Sequence, residues 1–346
     1  MGAISGFFVT VLEGIFSFVG NYGWSIVLFT LLVRLVLLPL DIKSKKSMRA
    51  MSKIQPKMQE LQRKYGKDKD KYNQKVQELY KREKVSPFSG CLPMLIQLPL
   101  LFAMFAAMRT LGNEYMVDLL LKLKEAVEGL GENYTPEMLM QLKDTFAANN
   151  LQSWLWIKNV FQPDSFMSTI LPAANSTLSA VQVASGSSIL TQENLDIVKA
   201  FLTTPAYKDI AALFGAADFS SIQLNFIFFA PTLTLPNSFS ALFSSANGLF
   251  ILPLFAAVSQ FFMTKLTSPA QATENPDQPN PMNGGFMKWF FPLISLYFCA
   301  SYNAAFAIYW TAANLIQMAQ QYLVNLYFDR KDKQKALAEA EVDPKN

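Results

Sequence analysis

The most prominent pattern along the chain is a series of long apolar runs separated by polar segments. Five runs are long enough for a membrane, since crossing a hydrocarbon core of about 30 Å takes about 20 helical residues. They predict spanning helices at 21–41, 91–109, 247–266 and, as a close pair, within 286–322. The polar Ser301-Tyr302-Asn303 would divide that pair by a tight turn. The predicted fold is therefore an all-α, polytopic helical membrane protein with five transmembrane helices.

The polar segments between these runs differ in charge. Residues 42–84 hold 15 Lys and Arg against 5 Asp and Glu, whereas residues 110–250 hold 6 basic and 12 acidic residues. Because short basic segments stay on the cytoplasmic side, the first segment should lie inside and the acidic one outside. The segment 267–285 is then a cytoplasmic loop and 329–346 a cytoplasmic tail. We expect the N-terminus outside and the C-terminus inside.

The first 20 residues include a further apolar stretch, 5–20, which is interrupted by Glu13 and contains Gly6, Gly14 and Gly20. Its apolar part is short for a span. We expect 1–20 to be an amphipathic helix in the outer interface of the membrane. The alternative, a sixth span, would place the N-terminus inside.

The basic segment 42–84 has apolar residues at three- and four-residue steps on both sides of Gly66. This pattern predicts a cytoplasmic helical hairpin with its turn at Gly66, packed as an antiparallel coiled coil and bent at Pro56. Its basic outer faces could serve topology and contact anionic membrane lipids. Contact with a ribosome, RNA or a substrate is the other interpretation, and no sequence-specific nucleic-acid contact is expected.

The acidic segment 110–246 predicts an extracytoplasmic helical insertion with its own helix signals. Thr135-Pro136-Glu137 and Thr204-Pro205 each combine an N-cap with proline at the first helical position. Thr191 with Glu193 starts a third helix, and Gly215 is expected to end the one that follows Thr204.

Arg34 is the most informative residue because it lies inside the apolar run GWSIVLFTLLVRLVLLPL. An arginine at the centre of a spanning helix costs at least about 2.5–3.5 kcal/mol on insertion scales. One interpretation is that its side chain extends to the inner interface. The functional interpretation is that Arg34, with no acidic partner within the spans, faces a water-filled cavity and offers its charge to an anionic group.

Other apolar runs carry polar residues at comparable depth, as a hydrated groove would need. Such residues also bridge helices in membrane proteins without further function. The candidates for a groove are Thr30, Gln97 and Asn314, with Gln260 and Gln317 as additional ones.

Chemistry-bearing residues are scarce. The chain has no histidine, and its two cysteines lie far apart within apolar runs. Neither a phosphate-binding glycine loop nor a nucleophile elbow is present in the sequence. We expect no catalytic residue, no metal and no cofactor, so the protein should not be an enzyme.

Several motifs together resemble a known family. They are NYGWSIVLFTLLVRLVLLPL, the Ser47-Met48 and Gln55-Pro56-Lys57 region, LYKREKVSPFSGCLPMLIQLPLLFAMF, WLWIKNVFQPDSF followed by ILP at 170–172, and YWTAANLIQMAQQYLVN. In order, type and spacing they are similar to the core of the YidC/Alb/Oxa membrane protein insertases. The segment 173–246 departs from that pattern as an insertion.

The resemblance implies a function and a site. It identifies Arg34 as the arginine of a hydrophilic groove, Thr30 as its neighbouring threonine, and Tyr309-Trp310 as an aromatic pair in the last helix. The groove would receive nascent membrane proteins as an insertase and chaperone, alone or with the Sec translocon and a ribosome. A Gram-positive-like bacterial member in the plasma membrane is expected.

Rival functions remain open on the residues alone. A small-anion transporter or channel would use Arg34 as a binding site in mid-membrane, but it predicts internal symmetry that the sequence does not show. An intramembrane protease is disfavoured by the missing histidine. A scaffold whose outer segment binds partners could be an added role.

Overall fold

The computed structural model describes residues 2–83, 92–172, 181, 183–184, 186–223, 232–267 and 285–342. Within these ranges the chain is mostly helical, with eleven α-helices and one antiparallel β-hairpin. It divides into two compact units, each built from three chain segments. The first unit comprises Met1–Phe29, Ala103–Ala257 and Ile294–Thr311, and the second comprises Thr30–Phe102, Val258–Leu293 and Ala312–Asn346.

The elements follow one another along the chain with few long connections. In order they are α1 (Gly2–Val19), α2 (Tyr22–Tyr65), α3 (Lys69–Glu83), α4 (Leu92–Glu128), α5 (Pro136–Asn150), α6 (Gln192–Leu202), α7 (Pro205–Leu213), β1 (Phe219–Gln223), β2 (Thr232–Pro236), α8 (Phe239–Ser244), α9 (Ile251–Thr267), α10 (Gly285–Ser301) and α11 (Ala304–Val342).

The apolar runs lie within helices, but three of those helices extend well beyond the predicted spans. α2 is 44 residues long and has an apolar stretch sufficient to cross a membrane, whereas α1, α9 and α10 contain shorter apolar stretches. The first predicted span and the first arm of the predicted hairpin form one continuous helix, because α2 accommodates Pro39 and Pro56 in its interior. α4 continues to Glu128 and α11 to Val342, so the segment 329–342 of the predicted tail is helical. The predicted loop at 267–285 lies almost entirely outside the described residues.

In the first unit, α1 packs against the beginning of α2. The ring of Phe16 stacks on Tyr22 with centroids 3.9 Å apart, and Phe8 meets Phe29 edge-on at 5.6 Å. Leu12, between these two contacts, is fully buried. One face of α1 is thus fixed by aromatic packing, while the interfacial placement of 1–20 stays a prediction.

The three predicted helix starts in the segment 110–246 are confirmed. The hydroxyls of Thr135, Thr191 and Thr204 each accept a hydrogen bond from a backbone N–H in the first turn of α5, α6 and α7 respectively. Gly215 follows α7 with φ +90°, a left-handed conformation that favours glycine. These signals act through neighbouring residues only, which is why the sequence reveals them.

The structure is consistent with the predicted all-α class and adds one short pair of strands within the segment 110–246. β1 and β2 form an antiparallel pair, with Phe219 opposite Pro236 and Gln223 opposite Thr232. Both strands are only five residues long and rich in β-branched and aromatic residues. Runs this short do not distinguish strand from helix by periodicity, since the pairing depends on a partner strand elsewhere in the chain.

Asp164 fixes the start of α9 from a buried position. Its carboxylate accepts hydrogen bonds from the backbone N–H groups of Leu249, Phe250 and Leu252 and from the indole of Trp156, at 2.7–3.2 Å. A negative charge at this end complements the helix dipole. A Cβ at Gly248 would collide with the carboxylate. The third predicted span therefore begins as a helix at Ile251, and residues 247–250 form its cap.

Two asparagines complete this junction. Asn247 is fully buried and donates through its side chain to the carbonyl oxygens of Asn159 and Pro163, both at 2.9 Å. Its own side-chain oxygen accepts from the Asn159 N–H at 2.8 Å. Because every such bond joins the loop after α5 to the entry of α9, this loop and the helix start form one rigid junction.

The tight turn between α10 and α11 is confirmed. α10 ends at Ser301 and α11 begins at Ala304. The Asn303 side chain accepts from the Phe306 N–H at 3.1 Å and so caps α11. The N–H groups of Ala304 and Ala305, which directly follow Asn303, donate to the carbonyl oxygens of Gln162 and Val160 respectively.

In the second unit, the part of α2 that follows the apolar run packs against α3. Lys57 donates to Glu83 at 2.8 Å, and the Tyr80 hydroxyl lies 3.6 Å from the sulfur of Met58. Lys57 precedes Met58 in α2, whereas its partner Glu83 follows Tyr80 in α3. The two helices therefore run antiparallel on either side of Gly66. The buried Ile54 and Leu79 form the apolar part of this unit's hairpin. Its cytoplasmic location is a prediction.

Candidate functional site

Arg34 lies in the apolar part of α2, in the second unit, and only 3% of its surface is exposed. The sequence led us to expect a water-exposed guanidinium without an acidic partner. In the structure the arginine is enclosed, and Asp41 lies seven residues farther along the same helix.

Asp41 escaped the sequence analysis because it lies at the end of the apolar run and not within it. It follows Arg34 by seven residues, or two helical turns, and therefore lies on the same face of α2. At a rise of about 1.5 Å per residue, the Cα atoms of Arg34 and Asp41 are about 10 Å apart along the helix. Their charged groups come closer than this when the two side chains extend towards each other. The guanidinium thus has an anionic neighbour in the same helix.

The polar atoms near this pair are incompletely satisfied. Gln320 of α11 donates through its side-chain nitrogen to the backbone carbonyl oxygen of Arg34 at 3.1 Å. The side-chain oxygen of Gln320, one carboxylate oxygen of Asp41 and the hydroxyl of Ser44 are buried and have no hydrogen-bond partner among the described residues. Burying such groups unpaired costs about 1–3 kcal/mol each. They therefore favour the entry of water or of another polar group.

A second polar contact in the same unit joins α9 to α11. The Asn314 side chain donates to the hydroxyl of Ser259 at 3.1 Å, and both residues are buried. Ser259 was not among the predicted residues, since a serine in an apolar run is common between membrane helices. Asn314 and Gln320 are six residues apart, so one stretch of α11 makes polar contacts with both α9 and α2.

The remaining predicted site residues are divided between the two units. Thr30 is buried one turn before Arg34, and Gln260 and Gln317 are partly buried, all in the second unit. Tyr309 and Trp310 belong to the first unit, where Trp310 packs on Phe306 with ring centroids 5.5 Å apart. The side chain of Gln97 lies outside the described residues.

This arrangement is suited to non-covalent binding. In the described parts of the chain, no group of three or more His, Cys, Asp or Glu residues could hold a metal ion. The polar groups of the second unit are a guanidinium, a carboxylate, amides and hydroxyls. Together they offer a positive charge and several hydrogen-bond acceptors between the apolar parts of α2, α9 and α11.

Comparison with known proteins gives the site its context. Residues 14–205 and 210–332 match the family described as 60Kd inner membrane protein. The chain belongs to this family. The match includes α2 with Arg34 and most of α11, so the resemblance seen in the sequence motifs is confirmed.

Three bacterial relatives carry the name Membrane protein insertase YidC. The relative from Fusobacterium nucleatum subsp. nucleatum is 48% identical over 94 residues, which are 27% of this chain and 46% of that protein. The one from Caldanaerobacter subterraneus subsp. tengcongensis is 44% identical over 110 residues, 32% of this chain and 53% of that protein. The one from Legionella pneumophila is 48% identical over 102 residues, 30% of this chain and 18% of that protein. The matched segments thus span at most about half the length of these relatives.

Proposed function

We propose that this protein is a membrane protein insertase and chaperone that receives nascent apolar segments at Arg34 and releases them sideways into the bilayer. The observation that carries the proposal is an enclosed arginine in an apolar helix, surrounded by buried polar atoms with unmet hydrogen-bonding capacity. Membership of the inner membrane protein family and the printed name of the relatives support it.

In the proposed mechanism, a client with an acidic polar segment enters a hydrophilic groove from the cytoplasm. Two opposite charges 4 Å apart attract each other by about 4 kcal/mol at an effective dielectric constant of 20. The client carboxylate thereby becomes a partner of Arg34, the Ser44 hydroxyl can donate to it, and the side-chain oxygen of Gln320 can accept from an N–H group of the client. The cost of moving the acidic segment into the membrane is partly offset.

Release follows from the apolar part of the client. Its transfer into lipid contributes about 25 cal/mol per Å² of apolar surface removed from water. Thr30, Gln97 and Asn314, with Gln260 and Gln317, would line the groove. By resemblance to the family, Tyr309 and Trp310 would also contact the client. No covalent step is needed. Larger clients would require the Sec translocon, and the ribosome would deliver nascent chains.

The proposed topology follows the charge distribution. Five helices span the bacterial plasma membrane, α1 lies in the outer interface, and the α2–α3 hairpin and the end of α11 lie inside. The 15 basic residues of 42–84 support the cytoplasmic placement. In this arrangement the acidic outer segment 110–246 attracts no anionic lipid, and the basic hairpin contacts the inner leaflet.

Insertion into proteoliposomes tests the role of Arg34. The purified full-length protein is reconstituted, and protease protection measures how fast an acidic-tailed client is inserted. We expect Arg34→Ala to slow insertion about tenfold, which corresponds to a loss of about 1.4 kcal/mol. Arg34→Lys should retain part of the rate because a point charge remains.

The exposed Arg330→Ala provides the matched control, since it also removes an arginine but lies at the helical tail. Its rate should equal that of the unchanged protein. Undiminished insertion by both Arg34 variants would exclude the arginine from the mechanism. Uptake of a small anion by the vesicles, lost in Arg34→Ala, would instead support a transporter.

A further inference from the structure

An exposed aromatic pair lies on α8, in the segment 110–246 that we place on the outer side of the membrane. Phe239 and Phe243 are 80% and 56% exposed, and their ring centroids are 5.4 Å apart. They are one turn apart on α8 and so form one face of this short helix. Ala241, on the opposite face, is buried in the first unit. The two rings therefore point away from the protein.

α8 is held firmly by the loop that contains Trp154. The ammonium group of Lys158 donates to the carbonyl oxygens of Phe243 and Ser244, which have no helical partners at the end of α8. The backbone N–H of Lys158 donates to the carbonyl oxygen of Asn247 at 3.1 Å. The exposed orientation of the phenylalanines is thus fixed by the fold.

The same loop contacts the first turn of α2. Trp154 meets Trp24 edge-on with centroids 5.5 Å apart, and Trp24 is half exposed. Leu155, beside Trp154, is exposed and has a φ of +51°, which is unusual for a residue with a side chain. These contacts connect α8 to the beginning of α2, whose apolar stretch is sufficient to cross a membrane, within one unit.

We infer that α8 is an interfacial anchor that inserts Phe239 and Phe243 into the outer leaflet of the membrane, at the level of Trp24. Lipid is the partner that fits, because the contacts tie the pair to the outer end of α2, and α9 begins only eight residues after Phe243. Tryptophan and other aromatic residues are typical of this boundary. The serines that flank the two rings at 238, 240 and 244 suit the polar headgroup region.

The inference rests on the membrane location and topology of the proposed function, but not on Arg34. Its consequence is that α8 ties the chain before α9 to the bilayer surface. A protein partner on the same aromatic pair is the competing explanation, and the experiment distinguishes the two.

Fluorescence quenching in proteoliposomes tests the anchor. A small environment-sensitive fluorescent amino acid is placed at position 239, at 243 or, as the matched control on the same helix, at the exposed Ser240. Brominated phospholipids quench from the bilayer and iodide quenches from water. We expect bromolipid quenching at 239 and 243 to exceed that at 240 several-fold, with the opposite order for iodide.

Two outcomes would overturn the anchor. Iodide quenching at 239 and 243 as strong as at 240 would place the pair in water. Protection from both quenchers would place it against protein. The pattern should be unchanged in the Arg34→Ala background, so a failure of the insertion mechanism and a failure of the anchor are separately visible.

Discussion

At the scale of single residues, the Asp164 side chain accepts more hydrogen bonds than any other side chain described above. Four N–H groups point at its carboxylate, and three of them belong to the entry of α9. Their alternative partners are few because the site is fully buried. The start of this helix therefore depends on a residue almost 90 positions earlier in the chain.

Replacing this carboxylate should be costly. We expect Asp164→Ala to lower the free energy of unfolding by about 3 kcal/mol, since it leaves several buried donors unpaired. Thermal unfolding of the detergent-solubilised protein measures the change. Asp144→Ala on α5 is the control, because that carboxylate is 75% exposed and should matter little. Equal losses of stability in the two variants would contradict the role assigned to Asp164.

Asp41 gives a second prediction, concerning the affinity for clients. In Asp41→Asn the attraction between Asp41 and Arg34 is lost, so a client carboxylate no longer competes with it. An interaction on the order of 1 kcal/mol at this separation corresponds to a several-fold effect. We expect the yield of photocrosslinks between position 317 and an acidic client to rise several-fold. A decrease would mean that Asp41 serves to position Arg34 for the client.

The sequence identifies some of these residues and not others for physical reasons. Arg34 is conspicuous because a charge in an apolar run demands an explanation. Asp41 was missed because its relation to Arg34 depends on the shared helix face beyond the run. Asp164 and Ser259 were missed because their partners are distant in sequence. The position of Gln97 within the site stays a prediction.

At the scale of elements, Arg49 links the polar part of α2, beyond its apolar run, to α11 within the second unit. Its guanidinium pairs with Asp329 and, at 3.3 Å, with Asp332. It also lies over the ring of Phe328, 5.2 Å from the centroid. A planar guanidinium suits several simultaneous contacts of this kind. The two helices are thus joined at the base of the hairpin.

Charge reversal tests this connection. In Arg49→Glu the distance distribution between spin labels at 53 and 333 should broaden, because like charges then face each other. Adding Asp329→Arg and Asp332→Arg to this variant should narrow the distance distribution again, because opposite charges then face each other. The control Glu78→Lys disrupts an ion pair within α3 and should leave the distribution unchanged. An unchanged distribution in Arg49→Glu would show that the ion pairs do not hold the two helices together, as is common for exposed pairs.

Elements differ in how far the sequence determines them. The starts of α5, α6 and α7 were predicted because a capping threonine and its N–H partner are three residues apart. The β-hairpin and the continuity of α2 were not predicted from the sequence. A strand needs a partner, and proline in a long helix is tolerated when packing outweighs the lost hydrogen bond.

At the scale of the whole molecule, the distribution of charge and the helical architecture lead to one account. The chain separates basic from acidic segments around apolar helices, and the family match confirms that it belongs among inner membrane proteins. The helical class could be predicted because apolar runs of about 20 residues have few alternatives. The enclosure of Arg34 could not, since it depends on how separate helices pack.

The most direct test of the account is a double-mutant cycle between this protein and its client. Insertion rates are measured for two clients that differ only by Asp or Asn in the polar segment, each with the unchanged protein and with Arg34→Ala. We predict that the change to Asn slows insertion several-fold with the unchanged protein and has no effect with Arg34→Ala. The same factor in both proteins would show that Arg34 does not recognise the client's charge.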